Sequence, residues 1–500
     1  MTFNSWEFLI FYPLVLLLYF ILPKKLKWPM LLIASYYFYI FYQADLVFLI
    51  LGTTAVSFVM SKVIERSGNA FLRRVCLAIT LLVCLGVLFF YKYFNFLLGS
   101  ALGIAQFFGM QTPQIVLNLI LPVGISFYTF QTLSYVIDVY RGEVKTENNF
   151  FFYALFVSFF PQLVAGPIER PGNLIPQLKE AHKWDNENAK RGAQIMILGF
   201  FKKICVADLL SVYVNKVYNN VDGVYKFAIN GEGDFKVAGF GIIIATVLFA
   251  IQIYCDFSGY TDIATGAARI MGIKLMKNFD HPYTATTIKE FWSRWHISLS
   301  GWFRDYLYIP LGGSRCAKWR HLMNLMIVFL VSGLWHGAAW TYVIWGAIHG
   351  LYQIIGSLTI KLRNKLLGLV GISHTAFPVV WVRRAITFGL VCFGWLFFRA
   401  NSVGEAFTLL RVMLTAPFAA PLGETLTAME LTPVAILMCI FSVLTLVIID
   451  RLVVYGGEGK DSADVLTKNG AFVYFVWIIM FCWGILLAKD VVSTFIYFQF

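Results

Sequence analysis

Residues Cys76–Leu98 read CLAITLLVCLGVLFFYKYFNFLL, a mainly apolar run long enough to cross a bilayer core, which takes roughly 20 residues as a helix. Runs that qualify, or nearly so, recur along the whole chain: Phe8–Leu22, Met30–Tyr42, Leu46–Met60, Phe150–Val164, Ala193–Phe201 with its flanks and Val237–Cys255. They continue through Leu322–Leu334, Trp340–Ile355, Ile386–Phe398, Val434–Ile449 and Phe472–Leu487. With the shorter runs taken as tilted or partly embedded, about ten to twelve spans are expected. Composition agrees, because only 13% of the 500 residues are charged, about half the share found in soluble domains. Many of the 48 Phe residues lie inside long apolar runs rather than at alternating core positions. The fold class is therefore all-α, a polytopic integral membrane protein with the bilayer as its first partner.

The net charge of +13 reads as an orientation signal, not as a nucleic-acid footprint, because Lys and Arg sit in short loops between apolar runs. No Lys or Arg precedes the first span, and Lys24, Lys25 and Lys27 follow it, so the N-terminus is expected to face outward. The first span is not expected to be a cleaved signal, since its basic residues follow the apolar run. Eight scattered cysteines contain no Cys-x-x-Cys pair, which suggests neither a zinc site nor a disulfide framework.

No linker separates a soluble module, and one continuous membrane domain over residues 1–500 is expected. Two loops of mixed charge, Glu169–Arg191 and Gly456–Lys468, read as solvated connections. The longest polar interruption, Gly272–His321, holds eight basic residues against Asp280, Glu290 and Asp305 and is expected to be cytoplasmic. Within it Ile288, Phe291, Trp292, Trp295, Leu299, Trp302 and Tyr306 recur at helical spacing, which predicts a Trp-rich amphipathic helix at the headgroup level.

Three clusters could carry chemistry. Asp256 and Asp262 close an apolar run, either as a polar helix end capped by Asp256 or facing a cavity or the interface. Glu290, Arg294 and His296 form the second cluster; Glu290 and Arg294 are one turn apart and suited to pair. His296 there is either a solvated residue or a functional one. The third is Ser332-Gly333-Leu334-Trp335-His336-Gly337. A helix starting near His321 carries His336 about 22 Å inward, where an ionisable residue is a site candidate by default. The glycines on either side let another backbone or a substrate come close, and Ser332 stands one turn before His336, within reach of a hydrogen bond. His349 lacks polar company and reads as packing; His182, His281, His321 and His374 lie in loops or at span edges. No His pair has metal spacing and no Gly-x-Ser-x-Gly occurs, so neither a zinc enzyme nor a serine hydrolase is indicated.

A polar motif with one histidine, followed by Trp335-His336-Gly337 inside the membrane, resembles the membrane-bound O-acyltransferase family. The stretches Leu121–Gln131 (LPVGISFYTFQ), Ser158–Ile168 (SFFPQLVAGPI), Asn278–Tyr283 (NFDHPY), Phe291–Ser300 (FWSRWHISLS) and Trp302–Gly313 (WFRDYLYIPLGG) resemble its bacterial alginate O-acetyltransferase branch, as does the ending Phe495–Phe500. The resemblance covers nearly the whole chain. It implies tilted, re-entrant and interfacial helices around a central tunnel in the bacterial inner membrane, with a cytosolic acyl donor and an extracytoplasmic acceptor. It puts His336 in the family's catalytic place and His296 in that of the second functional histidine. Trp335, Ser332, Asp305, Arg304 and Asn278 are then expected to contact substrate.

The reaction so implied is transfer of an acetyl group from acetyl-CoA toward hydroxyls of an extracytoplasmic polysaccharide, with no bound cofactor or metal. Relatives of this kind hand the acyl group to a separate esterase-like transferase outside the membrane, a further expected partner. A buried His336, biased toward its neutral form, would be the base or the acyl relay. Teichoic acid, peptidoglycan and cellulose remain alternative acceptors. A transporter of lipid-linked sugars fits less well: no paired, interrupted halves are visible, and the polar cluster is confined to residues 256–336.

Overall fold

A computed structural model describes residues 1–41, 44–113, 116–164, 166–369, 373, 375–455, 480 and 482–484. The loop Gly456–Lys468, most of Phe472–Leu487, the ending Phe495–Phe500 and His374 lie outside the described residues. Among those described there are helices and no strands. Among the described residues, five helices are long and apolar enough to cross a membrane: Ala44–Arg66, Ala70–Phe107, Gly239–Ile270, Trp340–Lys365 and Phe377–Arg399. Leu422–Ala428 and Pro433–Ile449, bent by 83° at a short break, make a sixth if they form one span. Other runs become helices too short for that test, among them Trp6–Ile21 and Lys24–Ile40. The protein is a multi-pass, all-α membrane protein.

The described residues group into two compact units. The first comprises Met1–Met196 and Tyr260–Lys277, the second Ile197–Gly259 and Asn278–Phe500. In the first unit, helix Phe150–Ser158 ends against Pro161, and Phe160 N–H turns away to Ser35 Oγ at 3.1 Å. That leaves the Phe156 carbonyl among the last of the helix without its usual donor. The amides of Gln131 and Gln162 take it over, at 2.7 and 2.8 Å. The two glutamines come from LPVGISFYTFQ and SFFPQLVAGPI, so both motifs serve one helix end. Glu169, just after the second motif, is buried and accepts from Met276 N at 2.5 Å and Asn173 Nδ2 at 2.7 Å.

The second unit is built around indoles: Trp295, Trp345 and Trp395 are each almost wholly buried, and Trp395 is in ring contact with both of the others. Here the single interfacial amphipathic helix expected over 288–306 is corrected in two ways. The chain forms two short helices, Ile288–Arg294 and Ile297–Phe303, followed by a π-helical turn, Arg304–Tyr308. Its apolar stripe faces protein: Phe291, Trp292, Trp295, Leu299 and Trp302 are buried, and Trp295 packs on Tyr254, Phe279, Tyr283 and Trp395. Periodicity reports that one face must be covered, not whether lipid or protein covers it.

Asp256 also stands elsewhere than expected. It lies within helix Gly239–Ile270, not at its end, and is buried. Lys203 Nζ reaches its Oδ1 at 2.7 Å and that of Asp208 at 2.8 Å. A π-helical turn at Phe201–Asp208 brings Lys203 and Asp208, five residues apart, to the same side.

Candidate active site

Helix Lys318–His336 ends on His336, and Gly337 turns the chain back into helix Trp340–Leu369. The two helices approach so closely that a Cβ on Gly333 would stand 2.3 Å from the Tyr342 carbonyl oxygen, and one on Gly346 2.3 Å from that of Phe329. Of the two glycines beside His336, Gly333 thus admits another backbone, while Gly337 admits the Tyr342 ring. This close approach fixes the position of His336, which is 2% exposed. His336 Nδ1 lies 2.7 Å from the Ser332 carbonyl oxygen, so Nδ1 carries a proton, and in the neutral ring Nε2 holds the lone pair. Ser332 acts through its main chain rather than its hydroxyl.

His296 separates the two short helices. Its φ of 45° is left-handed, uncommon for a residue with a Cβ and typical of functional turns. The ring is fully buried, with Nδ1 3.0 Å from Asn278 Oδ1. Ser298 Oγ and Ser298 N also donate to that oxygen, at 2.9 and 3.3 Å, and Ile297 N donates to the Asn278 carbonyl at 2.9 Å. Burial, and then the neighbouring His336, hold the imidazole of His296 well below its ordinary range, which keeps it neutral.

The two histidines face each other across a short gap: their ring centroids are 6.5 Å apart and the planes nearly perpendicular, at 86°. Trp335 touches both, at 5.7 Å from His296 and 5.0 Å from His336. Phe257 packs on His296 at 4.6 Å, and Trp345 and Phe398 on His336 at 4.8 and 5.8 Å. The result is a site with two imidazoles in aromatic walls, suited to moving one proton and holding a small apolar group.

Of the residues singled out in the sequence, His296, Asn278, Trp335, Ser332 and His336 are thus brought together. Arg304 and Asp305 pair with one another at 2.8 Å on the π-helical turn, where Arg304 is largely exposed. Glu290 and Arg294 pair at 2.6 Å, as their spacing suggests. His349 is buried and accepts from Trp292 Nε1 at 3.2 Å, a packing role among aromatic rings. His182 lies 2.9 Å from the Gln177 carbonyl, His281 3.2 Å from Asp280, and His321 2.9 Å from the Tyr308 hydroxyl.

Sequence reasoning missed Ser298 and Lys203. Ser298 lies inside FWSRWHISLS, two residues past His296, and its position at the start of a helix was the available signal. Lys203 borders an apolar run, where a basic residue looks like an orientation signal.

A membrane-bound O-acyltransferase family model matches residues 143–393. A protein of Pseudomonas aeruginosa named as a probable alginate O-acetylase is 38% identical over 83% of this chain and 75% of its own length. A peptidoglycan O-acetyltransferase of Helicobacter pylori is 33% identical, over 81% of this chain and 78% of its own. A teichoic acid D-alanyltransferase of Bacillus subtilis is 29% identical, over 56% and 69%.

Proposed function

The chain belongs to the membrane-bound O-acyltransferase family, and we propose that it transfers an acetyl group from acetyl-CoA toward hydroxyls of an extracytoplasmic polysaccharide. The observation that carries the chemistry is the His336 tautomer. With Nδ1–H held by the Ser332 carbonyl, Nε2 is the nitrogen able to take a proton. In the transfer, Nε2 removes the proton of an attacking hydroxyl as its oxygen bonds to the thioester carbonyl carbon. The carbon–sulfur bond then breaks, and the imidazolium returns the proton to the departing thiolate. His336 is the last residue of its helix, so the carbonyl end of that helix faces the positive charge that builds on the ring. His296 holds or passes the acyl group beside it, and Trp335 walls off water.

The donor side is the cytoplasm, on the charge of Gly272–His321, where Arg304, Arg315, Lys318 and Arg320 suit an anionic CoA. The membrane is a bacterial inner membrane, and the acetyl group passes outside to an esterase-like transferase that serves the polysaccharide. Acetyl rather than D-alanyl transfer is supported by the higher identity to the two O-acetylating relatives. Vesicles carrying the protein test donor and side together. Radiolabelled acetyl-CoA added from outside should label acceptor in inside-out vesicles and not in right-side-out ones. Labelling from a D-alanyl carrier alone, or equal use from both faces, would rule this reading out.

A further inference from the structure

Asn278 holds three consecutive residues at once. Its main-chain oxygen accepts from Ile297 N, and its side-chain oxygen from His296 Nδ1, Ser298 N and Ser298 Oγ. The atom that receives the Ser298 main-chain N–H can only be the amide oxygen, since that N–H has no lone pair to offer an NH2 group. An oxygen there accepts, so His296 Nδ1 must carry the proton and Nε2 the lone pair. The same grip sustains the left-handed turn at His296, which places the ring against Phe257 and Trp335.

We propose that Asn278 is a positioning residue for acyl transfer, acting through His296 by fixing its tautomer and ring orientation so that Nε2 is the reactive nitrogen. This rests on the reading of His296 as part of the transfer site. The residue type follows from the chemistry. A carboxylate at this position would accept the same N–H but favour the imidazolium, in which Nε2 is protonated and no longer a base or nucleophile. A neutral amide fixes the tautomer without adding that pull. His336 is the titratable group facing His296 from its helix. Helix Gly239–Ile270 presents Phe257, while the adjacent Asp256 is engaged by Lys203. On the nearby chain Asp280 lies beside His281, and Arg294 beside Glu290.

The test is the pH dependence of acetyl transfer from acetyl-CoA in proteoliposomes, for wild type, Asn278→Asp, Asn278→Ala, His296→Ala and Asn278→Ala/His296→Ala. Asn278→Asp keeps the acceptor and should move the acid limb of the activity profile upward by about one pH unit or more, because an opposite charge now faces the ring. Asn278→Ala should lower kcat about tenfold or more with KM for acetyl-CoA little changed, and should add nothing to the residual activity of His296→Ala. If Asn278→Ala does not fold, the aspartate variant carries the test alone. An Asn278→Asp profile that overlays wild type overturns the proposal, as does an Asn278→Ala loss of equal size in both backgrounds. A fully active His296→Ala removes the underlying reading as well. An inactive His296→Ala beside an unimpaired Asn278→Ala overturns the positioning role alone.

Discussion

Lys203 Nζ lies 2.7 Å from Asp256 Oδ1, and both side chains are all but sealed from solvent. Asp208 shares the same ammonium at 2.8 Å, so two buried carboxylates meet one cation. Replacing Lys203 by Met removes that shared cation and should destabilise the chain by about 3–5 kcal/mol. Replacing all three together, Lys203→Met with Asp208→Asn and Asp256→Asn, should recover much of the loss, since the two buried negative charges are removed with the positive one. Monodispersity and apparent Tm in detergent read both effects. A triple variant no more stable than Lys203→Met would show that the cluster's role is not one of charge compensation.

The same cluster shows what the sequence could and could not reveal. Membrane character was legible because span length is set by bilayer thickness, so Cys76–Leu98 needed no partner to be understood. The burial of Phe291, Trp292 and Trp295 was legible from their spacing, but the surface that covers them was not. The break at His296 was hidden because left-handed backbone is marked in sequence by glycine, and here a histidine is held there by Asn278. The burial of His336 was legible from its place at the end of an apolar run. Its tautomer was not, because it depends on a main-chain carbonyl. Lys203 was invisible as a core residue because basic residues beside apolar runs usually lie at the membrane surface.

Glu169 offers a pH test outside the spans. Burial pushes its carboxyl up from the ordinary value of 4.5 to about 7, against the opposing pull of its hydrogen bonds from Met276 and Asn173. Between those two values the folded chain holds a proton that the unfolded chain has released. Its contribution to stability therefore falls as pH rises through that window and levels off above it, by an amount on the order of 3 kcal/mol. Glu169→Gln keeps an oxygen for the Met276 N–H and cannot ionise, so it should flatten that slope. Apparent Tm measured at close pH intervals for both proteins decides the matter. Identical slopes would mean that Glu169 keeps an unshifted carboxyl in the fold.

His336 and His349 are both buried, and their surroundings differ. Nε2 of His336 is the basic nitrogen beside His296 and Trp335, whereas His349 spends Nδ1 on the Trp292 indole and packs among aromatic rings. His336→Ala should abolish acetylation while leaving expression and insertion near normal, because alanine is easier to place in an apolar setting. General acid–base groups contribute roughly 10²–10⁴-fold, a span that a modest assay resolves. His349→Ala strands the Trp292 N–H and opens a small cavity, at a cost to stability of about 1–3 kcal/mol. Its activity should fall only in proportion to the folded protein that is lost. The measurement is polysaccharide acetylation in a deletion strain complemented with each variant, normalised to folded protein in the membrane. Full activity from His336→Ala would defeat the base mechanism while leaving the family assignment intact. A His349→Ala loss beyond its folded fraction would move His349 from packing into the reaction.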